Sequence, residues 1–289
     1  MKTLSWTSPL LAAVLIAGSG SRAYANLFSD EFDALVVAER AKDAPPDLCK
    51  PASFVAFDGG YIEAGDPQAG DTPPAAEQVR QCLLTALSGQ GFRESPASPA
   101  LVIIYHWGVL RVDHREIRIP YQVRKNLSAR IDLVSTARMD AEVENHLKDR
   151  MSAGGEDLSA ASPRFLVAPL DSVVAHARLP RIFVVVSAYD GRAMAHHEAK
   201  LLWKAKLSAQ ETSGEMSMVI PPLISRGAPY FGQDLSDVLV LKATLQAAPP
   251  AAAPAERAPA APESYGVDKQ LLSGLMKAEG TRISGEGES

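Results

Sequence analysis

Two short stretches bring together the side chains best suited to chemistry. His196-His197-Glu198 offers metal-ligand types, with His106 as a third ligand from elsewhere in the chain. Adjacent residues on a strand point to opposite faces, so His196 and His197 cannot grip one ion without a bulge. The plainer expectation is that His197 closes an inward row while His196 and Glu198 face water. The second stretch is Tyr105-His106-Trp107, the candidate ligand-binding residues. In a strand Tyr105 and Trp107 share one face, where such aromatics either line a pocket or pack the core. A third set, Asp113-His114 beside Arg115-Glu116, reads as an acid–base pair or as a solvated hairpin tip flanked by Arg111 and Arg118. No Gly-x-Ser-x-Gly elbow, phosphate loop, dinucleotide fingerprint or His-Glu-x-x-His helix occurs. No catalytic set can therefore be assembled, and no cofactor is implied. Asn126-Leu127-Ser128 fits a glycosylation sequon, a pattern short enough to arise by chance.

The compartment decides how the two cysteines are read. Lys2 precedes the apolar run Leu10–Ala17, and Ala23-Tyr24-Ala25 places small residues where a signal peptidase reads them. Cleavage is expected after Ala25, giving a 1–25 signal peptide and 264 remaining residues of the 289. An eight-residue apolar run spans only about 12 Å as a helix, too little for a membrane anchor. No later run approaches spanning length, so no transmembrane helix is expected after signal removal. The first Cys is Cys49, far past the cleavage point, so lipid anchoring is not expected either. The protein is thus read as exported, periplasmic or secreted. There Cys49 and Cys82 are a disulfide candidate, with Cys82 packing as a small hydrophobe if the thiol stays free.

The elements that must position these residues follow from periodicity. Asn26 to Lys42 reads as an amphipathic helix, and Ser53 to Phe57 as a strand closed by the turn Asp58-Gly59-Gly60. Pro73 opens a helix whose stripe is Val79, Cys82, Leu83, Ala86 and Leu87, ended by Gly89 and Gly91. Leu101 to Val112 is apolar on both faces and is expected centrally in a sheet. Leu127 to Val134 alternates like another strand. Met139 to Met151 and Pro169 to Arg178 read as helices. Arg181 to Tyr189 and His197 to Leu207 read as paired strands. In the second of these Lys200, Lys204 and Lys206 are expected in water. Ser213 to Gly227 reads as helical around Pro221-Pro222, and Val238 to Leu245 as strand or helix. The expectation is an α+β fold, a mixed, mostly antiparallel sheet of about five strands with helices packed mainly on one face. The strands near Phe54 and Leu101 would form a parallel crossover through the Val79 helix.

Residues 26–246 are read as a single globular domain. Across 247–262, nine of sixteen residues are Ala and five are Pro, the composition of an extended linker. In the 263–289 tail, Leu271, Leu272, Leu275 and Met276 sketch one face of a short helix. A helix of this length does not hold alone in water, so it either docks or frays.

The order of these elements resembles a family of exported bacterial envelope proteins and lipoproteins of unknown function. The match runs over about residues 50–232, through Phe54 and Phe57, Leu87 with Gly91-Phe92, and Ala100-Leu101-Val102 with Tyr105-His106. Tyr189-Asp190-Gly191 and Leu202-Trp203 match its later hairpin. The chain departs from the family in lacking a lipobox Cys, in the charged 111–116 stretch and in extra material between Ser135 and Pro180. The resemblance implies an α+β envelope domain and brings no catalytic residues.

A formal charge of −5, or −7 once Lys2 and Arg22 are removed, leaves no electrostatic footprint for nucleic acid. With 46% hydrophobic and 22% charged residues, the composition is that of a globular protein. The reading is a non-enzymatic binding or structural module whose partner is an envelope protein or cell-wall component. The alternatives are an exported hydrolase using His106 or His197, with or without metal, and a small-ligand or lipid binder built around Tyr105 and Trp107.

Overall fold

The computed structural model describes residues 30–46, 51–67, 72–95, 97–112, 120–137, 139, 168–211, 215–246 and 268–285. The 1–25 segment, Cys49, the Asp113–Glu116 stretch, residues 140–151 and the 247–262 segment lie outside them.

A mixed seven-stranded sheet organises an α+β fold. Its strands are β1 (Glu31–Arg40), β2 (Ser53–Ala64), β3 (Arg93–Glu94), β4 (Leu101–Leu110), β5 (Arg181–Asp190), β6 (Leu201–Gln210) and β7 (Leu239–Thr244). Their order across the sheet is β3-β2-β4-β5-β6-β1-β7. β2 pairs parallel with β3 and β4, and the four remaining pairings are antiparallel. Helix α1 (Ala76–Gly89) joins the parallel strands β2 and β4, as its stripe of Val79, Leu83 and Leu87 required.

β4 is buried over all ten residues, and that explains its two apolar rows. Leu101, Ile103, Tyr105, Trp107 and Val109 pack with α1 and with α5 (Met216–Gly227). Val102 and Ile104 face the opposite way. There α2 (Pro120–Val134), α3 (Ala168–Ala177) and α6 (Lys269–Ser284) cover the sheet through Ala129, Ile131, Leu133, Val173, Leu272 and Ile283. The five-residue α4 (Gly191–Ala195) links β5 to β6, capped by the Asp190 carboxylate on the Arg192 and Ala193 N–H groups.

Four expectations are corrected here. Helices lie on both faces of the sheet, because the charged row taken for a solvent face is covered. Lys206 is buried where α2 supplies Asp132 and β1 supplies Glu39. Residues 31–40 form a strand, not a helix. The unbroken run Leu35-Val36-Val37-Ala38 is buried on both sides between β6 and β7, which a one-faced helix cannot provide. The 127–134 alternation belongs to helix α2. Its Arg130, on the polar row of that alternation, is buried and donates to the carbonyls of Ala177 and Arg111. The Asp58-Gly59-Gly60 turn is a bulge within a longer β2, where Gly59 is skipped in the pairing and Asp58 accepts the Gly60 N–H at 2.8 Å. Residues 238–245, open between strand and helix, contain edge strand β7. No described helix is long and apolar enough to cross a membrane.

Candidate functional site

Alternation along β4 separates the three candidate residues 105–107. Tyr105 and Trp107 face α1 and α5 as packed core, with the Trp107 ring 5.0 Å from Tyr61. The described grooves run between α1 and α5 and between α5 and β7, and neither is lined by these aromatics. Among the described residues the Tyr105 hydroxyl has no hydrogen-bond partner, and burial drives its pKa far up.

His106 faces the other way and is only 1% exposed. Its ring fits because the bulge residue beside it is Gly59. A Cβ there would lie 2.4 Å from His106 Nε2. Above the ring lies α6. His106 Nε2 is 3.0 Å from the Met276 carbonyl oxygen, which can only accept, so Nε2 carries the proton. The bare Nδ1 then faces Glu279 Oε2 at 3.9 Å.

Glu279 is the centre of this cluster. It falls on the buried stripe of α6, seven residues after Leu272, and is 7% exposed. Its Oε1 accepts the Tyr189 hydroxyl at 2.9 Å and pairs with Lys204 Nζ at 3.0 Å. The adjacent strands β5 and β6 thus each send one donor to a single carboxylate, while the β4 imidazole beside it holds the helix backbone. Farther along the helix, Arg282 reaches Asp132 at 3.3 Å, and Lys206 shares that carboxylate. Burial alone would raise the Asp132 carboxyl, but Lys206, Arg282 and Lys204 outweigh it and hold it below its usual range. Burial depresses the His106 imidazole below its ordinary value even though Glu279 pulls the other way. Burial and the neighbouring Glu279 charge raise the Tyr189 phenol.

His197 is not on a strand. It follows α4 in a left-handed conformation, φ 64°, and is exposed. Its Nδ1 meets the Asp268 carboxylate, which also caps α6 by accepting the Gln270 and Leu271 N–H groups. His106 and His197 therefore do not converge on one point. They hold the same helix, one beneath its middle and one at its N-terminus. His196 and Glu198 are exposed, and the described residues contain no group of three His, Cys, Asp or Glu side chains suited to a metal ion. Cys82 lies half-buried on α1 beside the α1–α5 groove, and its disulfide candidate Cys49 lies outside the described residues.

Sequence reasoning passed over Glu279, Lys204 and Tyr189. One signal was available: an acid seven residues after Leu272 and four after Leu275 sits inside an apolar helical stripe. The arrangement positions donors around a carboxylate and seats a helix. It presents no activated nucleophile.

No family model matches the chain, and no curated protein matches it. Among solved structures it is similar to a PDZ domain protein from Parabacteroides distasonis ATCC 8503, at 9% identity and TM-score 0.37, covering 75% of this chain. This chain spans only 40% of the length of that protein. It is also similar to a PelC dodecamer from Paraburkholderia phytofirmans, at 10% identity and TM-score 0.30, covering 68% of this chain and 98% of that one. Similarity at this level carries no argument about function.

Proposed function

We propose that this chain is an exported envelope protein acting as a non-enzymatic binding module, with the sheet face beneath α6 as its binding surface. The signal-like first 25 residues and the resemblance to exported envelope proteins support the export. One observation supports the binding role: the face is filled by a helix that follows an Ala/Pro-rich stretch and joins an apolar stripe to a buried carboxylate. Leu272 and Ile283 are the two apolar side chains α6 buries fully, while Glu279 is buried with them. A helix that belonged permanently to the core would gain more from an apolar residue at that position. The linker composition of 247–262 supports a tether that lets the helix leave and return.

Two experiments test this. Cell fractionation with N-terminal sequencing should find the protein outside the cytoplasm, beginning at Asn26. Retention of an uncleaved chain in the cytoplasm contradicts export. For binding, a protease site placed within 247–262 of the full chain is cut and the product is gel-filtered. The tail fragment should co-elute at micromolar concentration and separate on dilution. A fragment that separates only in denaturant, or never co-elutes, contradicts the role of the face.

A further inference from the structure

The geometry points to a specific ligand class for this face. We infer that it receives an amphipathic helix of another envelope protein bearing a carboxylate for Tyr189 and Lys204, and that α6 occupies the site as an internal mimic. The inference rests on the binding-module reading and adds the partner's chemistry to it.

Charge complementarity carries the argument. The receiving groups belong to the sheet: Lys204 on β6 and Tyr189 on β5, with the His106 N–H on β4 committed to the Met276 carbonyl beside them. They sit on central, hydrogen-bonded strands, so strand pairing holds their backbone positions without the helix. The group they receive, Glu279, belongs to the segment after the Ala/Pro stretch. If α6 departs, Lys204 loses its carboxylate, and the Tyr189 hydroxyl loses its acceptor. Donors left this way in a partly buried strip attract another acceptor. Around them Val55, Val102 and Ile104 form the apolar floor on which Leu272, Leu275 and Met276 rest. Asp132 of α2 lies farther along and receives Arg282. The face therefore reads a linear pattern: an apolar residue, two more at the third and fourth positions after it, an acid at the seventh and a base at the tenth. Leu272, Leu275, Met276, Glu279 and Arg282 supply that pattern in cis. The Met276 carbonyl on His106 fixes the depth of the helix by a contact that any helix backbone can make.

The test uses the full chain cut within 247–262 and a fluorescent peptide of residues 263–289 as the probe. The peptide should exchange into the cut protein, and its Glu279→Gln form should bind at least about tenfold more weakly. Changing only the peptide leaves the body as it is, so no folding defect can mimic the effect. With a Lys204→Met body the Glu and Gln peptides should differ by less than about threefold. Equal binding of the two peptides to the unaltered body overturns the carboxylate inference while leaving a helix-binding face. No exchange of either peptide overturns the inference and the binding-module reading together.

Discussion

Gly59→Ala is a small change whose consequence the structure places at one ring. The added Cβ would sit 2.4, 2.5 and 2.7 Å from three atoms of the His106 imidazole, where ordinary contact begins near 3.4 Å. The ring must retreat by about 1 Å in a packed interior. That displaces Nε2 from its 3.0 Å position against the Met276 carbonyl. A bond stretched to about 4 Å is lost. An unpaired buried donor and acceptor cost about 1–3 kcal/mol, and overpacking costs about 1–3 kcal/mol more. The expected loss is about 2–6 kcal/mol, concentrated in the seating of α6. The assay is a double-mutant cycle in urea, followed also by hydrogen exchange of the α6 amides. In a His106→Ala background the new methyl occupies space the ring has vacated, so Gly59→Ala should cost less than about 1 kcal/mol. Equal costs in the two backgrounds would refute the reasoning and move the effect to the β2 backbone.

Three further outcomes are expected. Burial lowers the His106 pKa in the docked state below the 6.5 of a free imidazole, so the opened state binds the proton more readily. Glu279 from α6, Lys204 from β6 and Asp58 from β2 also bear on this group, and the net direction remains downward. Its contribution is complete above pH 6.5 and is lost as pH falls through the lowered value. Protection factors of the α6 amides, taken relative to the intrinsic exchange rate at each pH, should therefore fall below pH 6.5, and less so in His106→Ala. Asp268→Ala removes the cap of α6 and the His197 contact, and should speed exchange of the first helical turn about three- to tenfold. Gly108→Ala puts a Cβ 1.8 Å from the Ile62 carbonyl oxygen at φ +154°, and should destabilise the whole sheet by more than about 3 kcal/mol in a thermal melt.

The parts of the fold that sequence patterning revealed are those with unambiguous local signals. The α1 stripe, the doubly apolar β4, the β5–β6 pair and the parallel crossover are of this kind. The misread elements share a physical cause. Residues 127–134 and 31–40 have apolar spacings compatible with either period, and tertiary covering decided between them. Lys204 and Lys206 read as solvent residues because their neutralising partners, Glu279, Asp132 and Glu39, come from distant elements. The same non-local pairing hid the site. His106 and His197 stood out as histidines, yet their shared role exists only because α6 returns from the end of the chain. Glu279, which ties the cluster together, carried only a weak mark in the sequence.

The binding-module reading makes α6 a separable occupant of a preformed face. Native-state hydrogen exchange on the intact chain tests it most directly. Amides from Leu272 to Ser284 should open as one unit, at least about 2 kcal/mol more easily than those of β4 and β5. If they exchange only with the sheet, at the same free energy and with the same denaturant dependence, α6 is an integral part of the core and the face is not a binding surface.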